Sequence, residues 1–120
     1  MKALELIDEL SKQATANGSD DFRTFNAINA GRYKMSVQGS MGHYCSPRQT
    51  LHPDAYSDME LALFSSKGWL HVSKSKKVRA FPRYNELIER ADGPISQSVV
   101  VFGYVPVDLL NDLYLYLKEK

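Results

Sequence analysis

The chain has a single cysteine, Cys45, so no intrachain disulfide can form. A lone thiol suits a reducing compartment. Excess charge of either sign is also missing, since 15 basic and 14 acidic residues leave a formal net charge of +1. A domain built to hold duplex DNA carries a clear basic excess, so that function is not expected, and any anion site must come from local clustering. Long apolar runs are lacking too. The N-terminus, Met1-Lys2-Ala3-Leu4-Glu5-Leu6-Ile7-Asp8, intersperses acids with leucines. It reads as neither a signal peptide nor a membrane span, and a cytoplasmic protein is expected. No glycine-rich phosphate loop of the P-loop or dinucleotide-fold kind is present.

What is there is ordinary for a folded protein: 43% hydrophobic and 24% charged residues, too apolar for a disordered chain. At 120 residues, two separate cores would each be insecure, so one domain over residues 1–120 is expected. Residues 2–16 predict an amphipathic helix, with Leu4, Ile7, Leu10 and Ala14 at helical spacing and Asn17-Gly18 as its stop. Ser19-Asp20-Asp21 could cap a short helix through Phe22 and Phe25, or the same stretch could be a strand turning at Asn29-Ala30-Gly31. Both readings stay open.

From Arg32 to Gln38 the alternation of Tyr33, Met35 and Val37 with polar residues predicts a half-buried strand. Residues 39–54 lack periodicity, and loops of that length inside compact domains are more often functional than short ones. Met59–Phe64 and Trp69–Val72 predict a hairpin turning at Ser65-Ser66-Lys67-Gly68. Residues 73–77 read as a solvated basic stretch, and Pro82 opens a helix through Ala91. Ser98–Val105, the most β-rich run, predicts a central strand, and Pro106 opens a last helix with Leu109, Leu110, Leu113 and Leu117 inward. The fold class is therefore α+β, a mostly antiparallel sheet with helices packed on it.

The densest cluster of chemical groups is Ser40-Met41-Gly42-His43-Tyr44-Cys45-Ser46-Pro47-Arg48. A guanidinium, an imidazole, a tyrosine face, hydroxyls and glycine-exposed N–H groups are the parts of a nucleotide or phosphate pocket. Nucleophilic catalysis by Cys45 with His43 needs the two within hydrogen-bond reach, which a loop does not guarantee. A buried structural cysteine is the plainer reading. His43, Cys45, His52 and His71 have zinc-ligand chemistry but no zinc spacing. Lys74, Lys76, Lys77, Arg79 and Arg83 form a basic stretch. It is either a solvated lead into the Pro82 helix or an anion-attracting rim with Arg79 and Arg83 flanking a stacking Phe81. Gly103 permits close backbone approach, and the aromatics around it read as core. No cofactor, metal or catalytic group is expected.

Three segments carry a resemblance: Ser36-Val37-Gln38-Gly39-Ser40 with His43-Tyr44-Cys45-Ser46-Pro47-Arg48, then Tyr56 with Met59-Glu60-Leu61-Ala62, then Gly103-Tyr104-Val105-Pro106. Together, over about residues 33–117, they resemble a group of small proteins encoded by bacteriophages and prophages. Among these the chain is similar to the Thoeris anti-defence sponges. The His-Tyr-Cys-Ser-Pro-Arg string is the specific part.

The resemblance implies a protein that sequesters an immune signal of the cyclic ADP-ribose type, a small anionic cyclic nucleotide, in the host cytoplasm without hydrolysing it. A sponge needs no nucleophile, but each bound signal occupies a site, so its affinity must be high; a nanomolar constant is about −12 kcal/mol. In that reading Arg48 clamps phosphate and Tyr44 or Phe81 stacks the base. The backbone of 39–42 donates N–H groups, and His43, Ser46, Arg79 and Arg83 complete the ligand-binding set. The competing reading is a phage inhibitor that binds a host defence protein directly, as anti-CRISPR proteins do; a nucleotide-processing enzyme using His43 and Cys45 is a third. Tyr114 and Tyr116 add apolar surface outside the leucine face of the last helix. From them a homo-oligomer is expected, with the His43–Arg48 loop near the subunit boundary.

Overall fold

The computed structural model describes residues 4–12, 17–18 and 23–119. Helix α1, Glu5–Ser11, is the described part of the first expected helix; residues 13–16 lie outside it. Leu6, Ile7 and Leu10 are its buried side. Its first turn has no side-chain cap of its own, and the buried Asn111 of the last helix supplies one, Oδ1 accepting from Leu6 N–H at 3.0 Å. Asn17-Gly18 is not a helix stop. It forms β1, paired antiparallel with β2, Arg23–Thr24.

The main sheet is five-stranded and antiparallel, and the fold is α+β. Within the described part of residues 19–30 the extended alternative holds; 19–22 lie outside it. β3, Ile28–Ala30, turns at Gly31-Arg32 into β4, Tyr33–Gln38. Gly31 is needed there. Its φ of +64° favours glycine, and a Cβ would run into the Leu117 carbonyl. Met35 and Val37 are buried as the alternation requires. Gln38 is buried against that pattern, because its amide accepts from Phe25 N–H at 2.7 Å and donates to Phe25 O at 2.9 Å. A side chain here does the work of a neighbouring strand.

The central strand is β5, Asp58–Ser65, which pairs with β4 on one side and with β6, Gly68–Trp69, and β7, Val101–Pro106, on the other. This corrects the expected central position of the 98–105 run. Met59, Leu61 and Leu63 form one buried face of this strand and Ala62 buries part of the other, as suits an interior strand. The hairpin to β6 is shorter than expected, because Val72 starts a 3-10 turn, Val72–Lys74.

The basic stretch is likewise not a plain solvated linker. Ser75 Oγ accepts from Val78 N–H and starts the single-turn helix α2, Lys76–Arg79, which buries Val78. Helix α3, Tyr84–Ile88, is shorter than the expected Pro82–Ala91 element.

Helix α4, Val107–Lys118, packs on β3 and β7, and α1 lies against it. Leu109, Leu110, Leu113 and Leu117 are buried as expected. Tyr114 and Tyr116 do not form an outer apolar surface. Tyr114 is 5% exposed, and the half-buried Tyr116 sets its ring against Phe81 at 5.1 Å. The Tyr116 hydroxyl donates to Lys77 O. Both rings thus pack against this chain's own core, Tyr114 fully and Tyr116 in part.

Arg83 ties α3 to α4. Its guanidinium meets Glu86 at 2.7 and 3.0 Å, Asp112 at 2.7 Å and Asp108 at 3.1 Å. Hydrogen bonds from Glu86 first, then Asp112, raise it above the ordinary arginine range. Among the described residues no helix is long and apolar enough to cross a membrane.

Candidate functional site

The loop after β4 is anchored where β5 and β7 fall out of register. Met59 pairs with Val105 and Leu61 with Phe102, so Glu60 faces two residues, Gly103 and Tyr104. This is a β-bulge, and such irregularities re-aim side chains. Tyr104 sits in it at φ +52°, an uncommon conformation for a bulky residue. Its ring is turned out, 38% exposed, whereas the pattern reading placed it in the core; Phe102 is in the core as expected.

The bulge holds the loop at three points. Tyr104 N–H donates to Tyr44 O at 3.0 Å. Tyr44 N–H donates to Glu60 Oε2 at 2.9 Å. A Cβ on Gly103 would stand 3.0 Å from Tyr44 Cβ, so glycine allows the close approach that its place in a strand suggested. The result is an offset-stacked pair of tyrosines, centroids 5.8 Å apart and planes at 24°, with Tyr44 42% exposed. Arg48 lies 5.7 Å from the Tyr44 centroid, and its guanidinium has no carboxylate partner among the described residues.

The inward side of the same loop is structural. His43 is buried and its Nδ1 is 2.6 Å from Ser40 Oγ. That corrects its expected place among ligand contacts, since the ring faces the interior. Cys45 is fully buried, its thiol donating to Ser40 O at 3.3 Å and Pro47 O at 3.4 Å. Burial pushes the thiol pKa up, which opposes the thiolate a nucleophile needs. No side-chain bond joins it to His43.

Ser46 contributes backbone to the fold. Its N–H donates to Asp58 O, and its carbonyl accepts from Ser57 N–H at 2.9 Å; its peptide bond to Pro47 is cis. The expected N–H cradle is not open either. Met41 N–H donates to Thr50 Oγ1, Gly42 N–H donates to Ser40 Oγ, and Gly39 packs on the Tyr56 ring. His43, Cys45, His52 and His71 are not brought together: His52 pairs with Asp54 and His71 Nε2 meets Ser96 O.

The expected rim of Arg79, Phe81 and Arg83 is not part of this site. Phe81 is 4% exposed and cannot stack a ligand. Arg83 is surrounded by three carboxylates and has little positive field left to offer. The groove of about 260 Å³ beside them has Asp112 and Glu119 in its walls and shares no lining residue with that beside Tyr44. Arg79 is exposed at the end of α2.

Another cavity, of about 610 Å³, is lined by Arg32, Lys77 and Lys118 among others. Lys77 Nζ donates to Glu119 O at 2.9 Å, and Lys118 pairs with Glu5 at 3.6 Å. These lysines serve the carboxyl end of α4, whose carbonyls favour cations.

Beside the tyrosine pair runs a groove of about 350 Å³ lined by Tyr44, Tyr104, Glu89, Arg90 and Asp92 among others. Gly103 N–H donates to Arg90 O at 2.9 Å and Asp92 N–H to Val101 O at 2.7 Å, which pins the turn after α3 to the outer edge of β7. Of these residues the sequence had placed only Tyr44 among the ligand contacts. The readable signal was the glycine inside a β-rich run, which marks bulges.

Fold and site together define the class: an α+β protein that presents an aromatic pair at a β-bulge, with an arginine beside it that has no carboxylate partner among the described residues. Protein-family profiles, curated proteins and solved structures give no match to the chain.

Proposed function

We propose that this protein is a non-catalytic binder of a nucleotide-type ligand, which stacks on the Tyr44–Tyr104 pair and places phosphate at Arg48. The observation that carries the reading is the exposed stacked pair with a guanidinium over Tyr44 that has no ion-pair partner among the described residues. Aromatic faces bind any base, and arginine binds phosphate oxygens in pairs. The rings are in contact with each other, so a base stacks on an outer face and not between them. A protonated buried thiol and an inward-facing imidazole support binding over turnover.

Taken with the resemblance of the His43–Arg48 string, the reading becomes a phage anti-defence protein. It sequesters a cyclic nucleotide or cyclic ADP-ribose-type signal in the host cytoplasm. The groove's lining residues all belong to one chain. A second reading, direct blocking of a host defence protein, is favoured by Met41, which is 52% exposed on the same loop as Tyr44.

One experiment separates these. The purified protein is incubated with a panel of cyclic nucleotides and examined by native mass spectrometry, then denatured and its filtrate analysed. Intact ligand in the filtrate is the expected result. A converted product would mean an enzyme, and no small-molecule adduct with any panel member would refute nucleotide binding and leave the protein-blocking reading.

A further inference from the structure

We infer that the end of the main sheet carrying its two short turns binds single-stranded nucleic acid, with bases stacked on Trp69 and Phe64 and phosphates held at Lys34 and Lys67. The near-neutral total conceals an uneven distribution of charge. Residues 22–53 contain four lysines and arginines, residues 61–85 contain six, and neither stretch contains an aspartate or glutamate. Arg48 of this excess lies by Tyr44, and Arg83 is taken up by carboxylates. The fold gathers other members where the turn from β3 to β4 and the turn from β5 to β6 stand side by side. Arg32 of the first turn and Lys67 of the second are exposed. On the α4 side Glu119 lines a cavity with Arg32, Lys77 and Lys118, so cations outnumber acids there even with Lys118 paired to Glu5.

The strand register builds the stacking platform. Lys34 pairs with Phe64, and Phe64 with Trp69, which sets the three in one row across β4, β5 and β6. Their neighbours Met35 and Leu63 are buried, so alternation turns the row to the opposite face of the sheet. Trp69 is 41% exposed, and its ring lies 4.7 Å from that of the half-buried Phe64 with planes at 48°. Lys34 and Lys67 are exposed and have no ion pair among the described residues. Asp58 and Glu60 stand toward the other end of β5, and Glu60 accepts from Tyr44 N–H. Exposed aromatic faces accept any unstacked base, and cations beside them hold the backbone. Duplex DNA keeps its bases stacked, and a net charge of +1 is too small to hold it by charge alone. Protein interfaces are depleted in lysine, whereas each nucleotide of a single strand supplies both a flat ring and a charge.

Trp69 is the chain's single tryptophan, so its emission reports the contact directly. The intact protein is titrated with oligothymidylate and oligouridylate of about 15 nucleotides in about 50 mM salt, and with a DNA duplex of the same length. Both single strands are expected to quench Trp69 and to bind more tightly than the duplex. Trp69→Ala, read by anisotropy of a labelled strand and checked for fold by circular dichroism, should bind at least about fivefold more weakly, as for one lost stack. In the Lys34→Gln/Lys67→Gln double variant the slope of log affinity against log salt should become shallower by about 1.4, two phosphate contacts at about 0.7 each. If Trp69→Ala does not fold, the quenching and the lysine variant decide by themselves. No binding of either strand overturns the inference and leaves the row to a protein partner. Duplex bound as tightly as single strand, wild-type affinity in a folded Trp69→Ala, or an unchanged salt slope in the lysine variant also overturns it. The row shares no residue with the groove beside Tyr44, so either result leaves the nucleotide reading where it stands.

Discussion

Replacing Tyr104 by glycine separates what this residue does for the fold from what it does for a ligand. Tyr104 holds φ at +52°, where an L-residue costs about 1–2 kcal/mol. Glycine adopts that conformation freely, so the substitution recovers the strain. Against this stand the lost ring contact with Tyr44, about 0.5–1.5 kcal/mol, and the wider unfolded ensemble of glycine, about 0.5–1 kcal/mol. Tyr104 is 38% exposed, so losing the covered part of its side chain costs roughly a further 1 kcal/mol. The N–H donated to Tyr44 O remains. The net effect is a loss of about 1 kcal/mol, whereas truncating a core aromatic costs about 3–5 kcal/mol. Urea unfolding followed by circular dichroism measures it, and the slope of the transition should not change. Ligand affinity should nonetheless fall about tenfold, as for loss of one base–aromatic stack. A stability loss above about 2 kcal/mol would show that the ring is held for packing, and unchanged affinity would show that the strain serves no ligand.

The remaining expectations concern other parts of the loop and the core. Arg48→Ala should fold normally and bind ligand about 1.5–3 kcal/mol more weakly, as for a lost charged hydrogen bond; wild-type affinity by calorimetry would refute its role. Cys45→Ser should cost about 1 kcal/mol of stability and keep binding. Because burial raises the Cys45 pKa, the folded chain keeps a proton that the unfolded chain releases. Wild-type stability should therefore decline as pH rises above about 8.5, and the serine variant should lack that decline. Arg83→Met should lower the melting temperature in low salt but have less effect in molar salt. Arg83 lowers the Glu86 pKa through its hydrogen bonds, so this stabilisation is present above about pH 4.3 and is lost as pH falls through the folded value. Phe81→Ala should unfold about 3–5 kcal/mol more easily; a variant of normal stability that fails to bind would return Phe81 to the site.

The reach of pattern reading is clear at particular residues. Leu109, Leu110, Leu113 and Leu117 repeat at helical spacing, and Met35 and Val37 alternate, so burial follows from geometry within each element. Phe81 and Tyr116 were misplaced because their burial depends on each other across 35 positions of chain. Arg83 looked like a free cation because Asp108 and Asp112 are remote in sequence. The run from 98 to 105 looked central because β-propensity reports a fit to a pleated surface and says nothing of strand order.

By itself the sequence determined the α+β class, the near-neutral charge that leaves anion binding to local groups, the strands around Met35 and Leu61 and the last helix. It also marked the long loop that carries Tyr44 and Arg48. These follow from composition and short-range periodicity, which are properties of neighbours along the chain. Only the tertiary structure decided that one side of that loop is packing and the other is presented to solvent. It did so through the bulge opposite Glu60, which places Tyr104 beside Tyr44 and brings Glu89 and Asp92 to the same groove. Long-range pairing register is a cooperative property of the whole sheet, and no local run of residues encodes it.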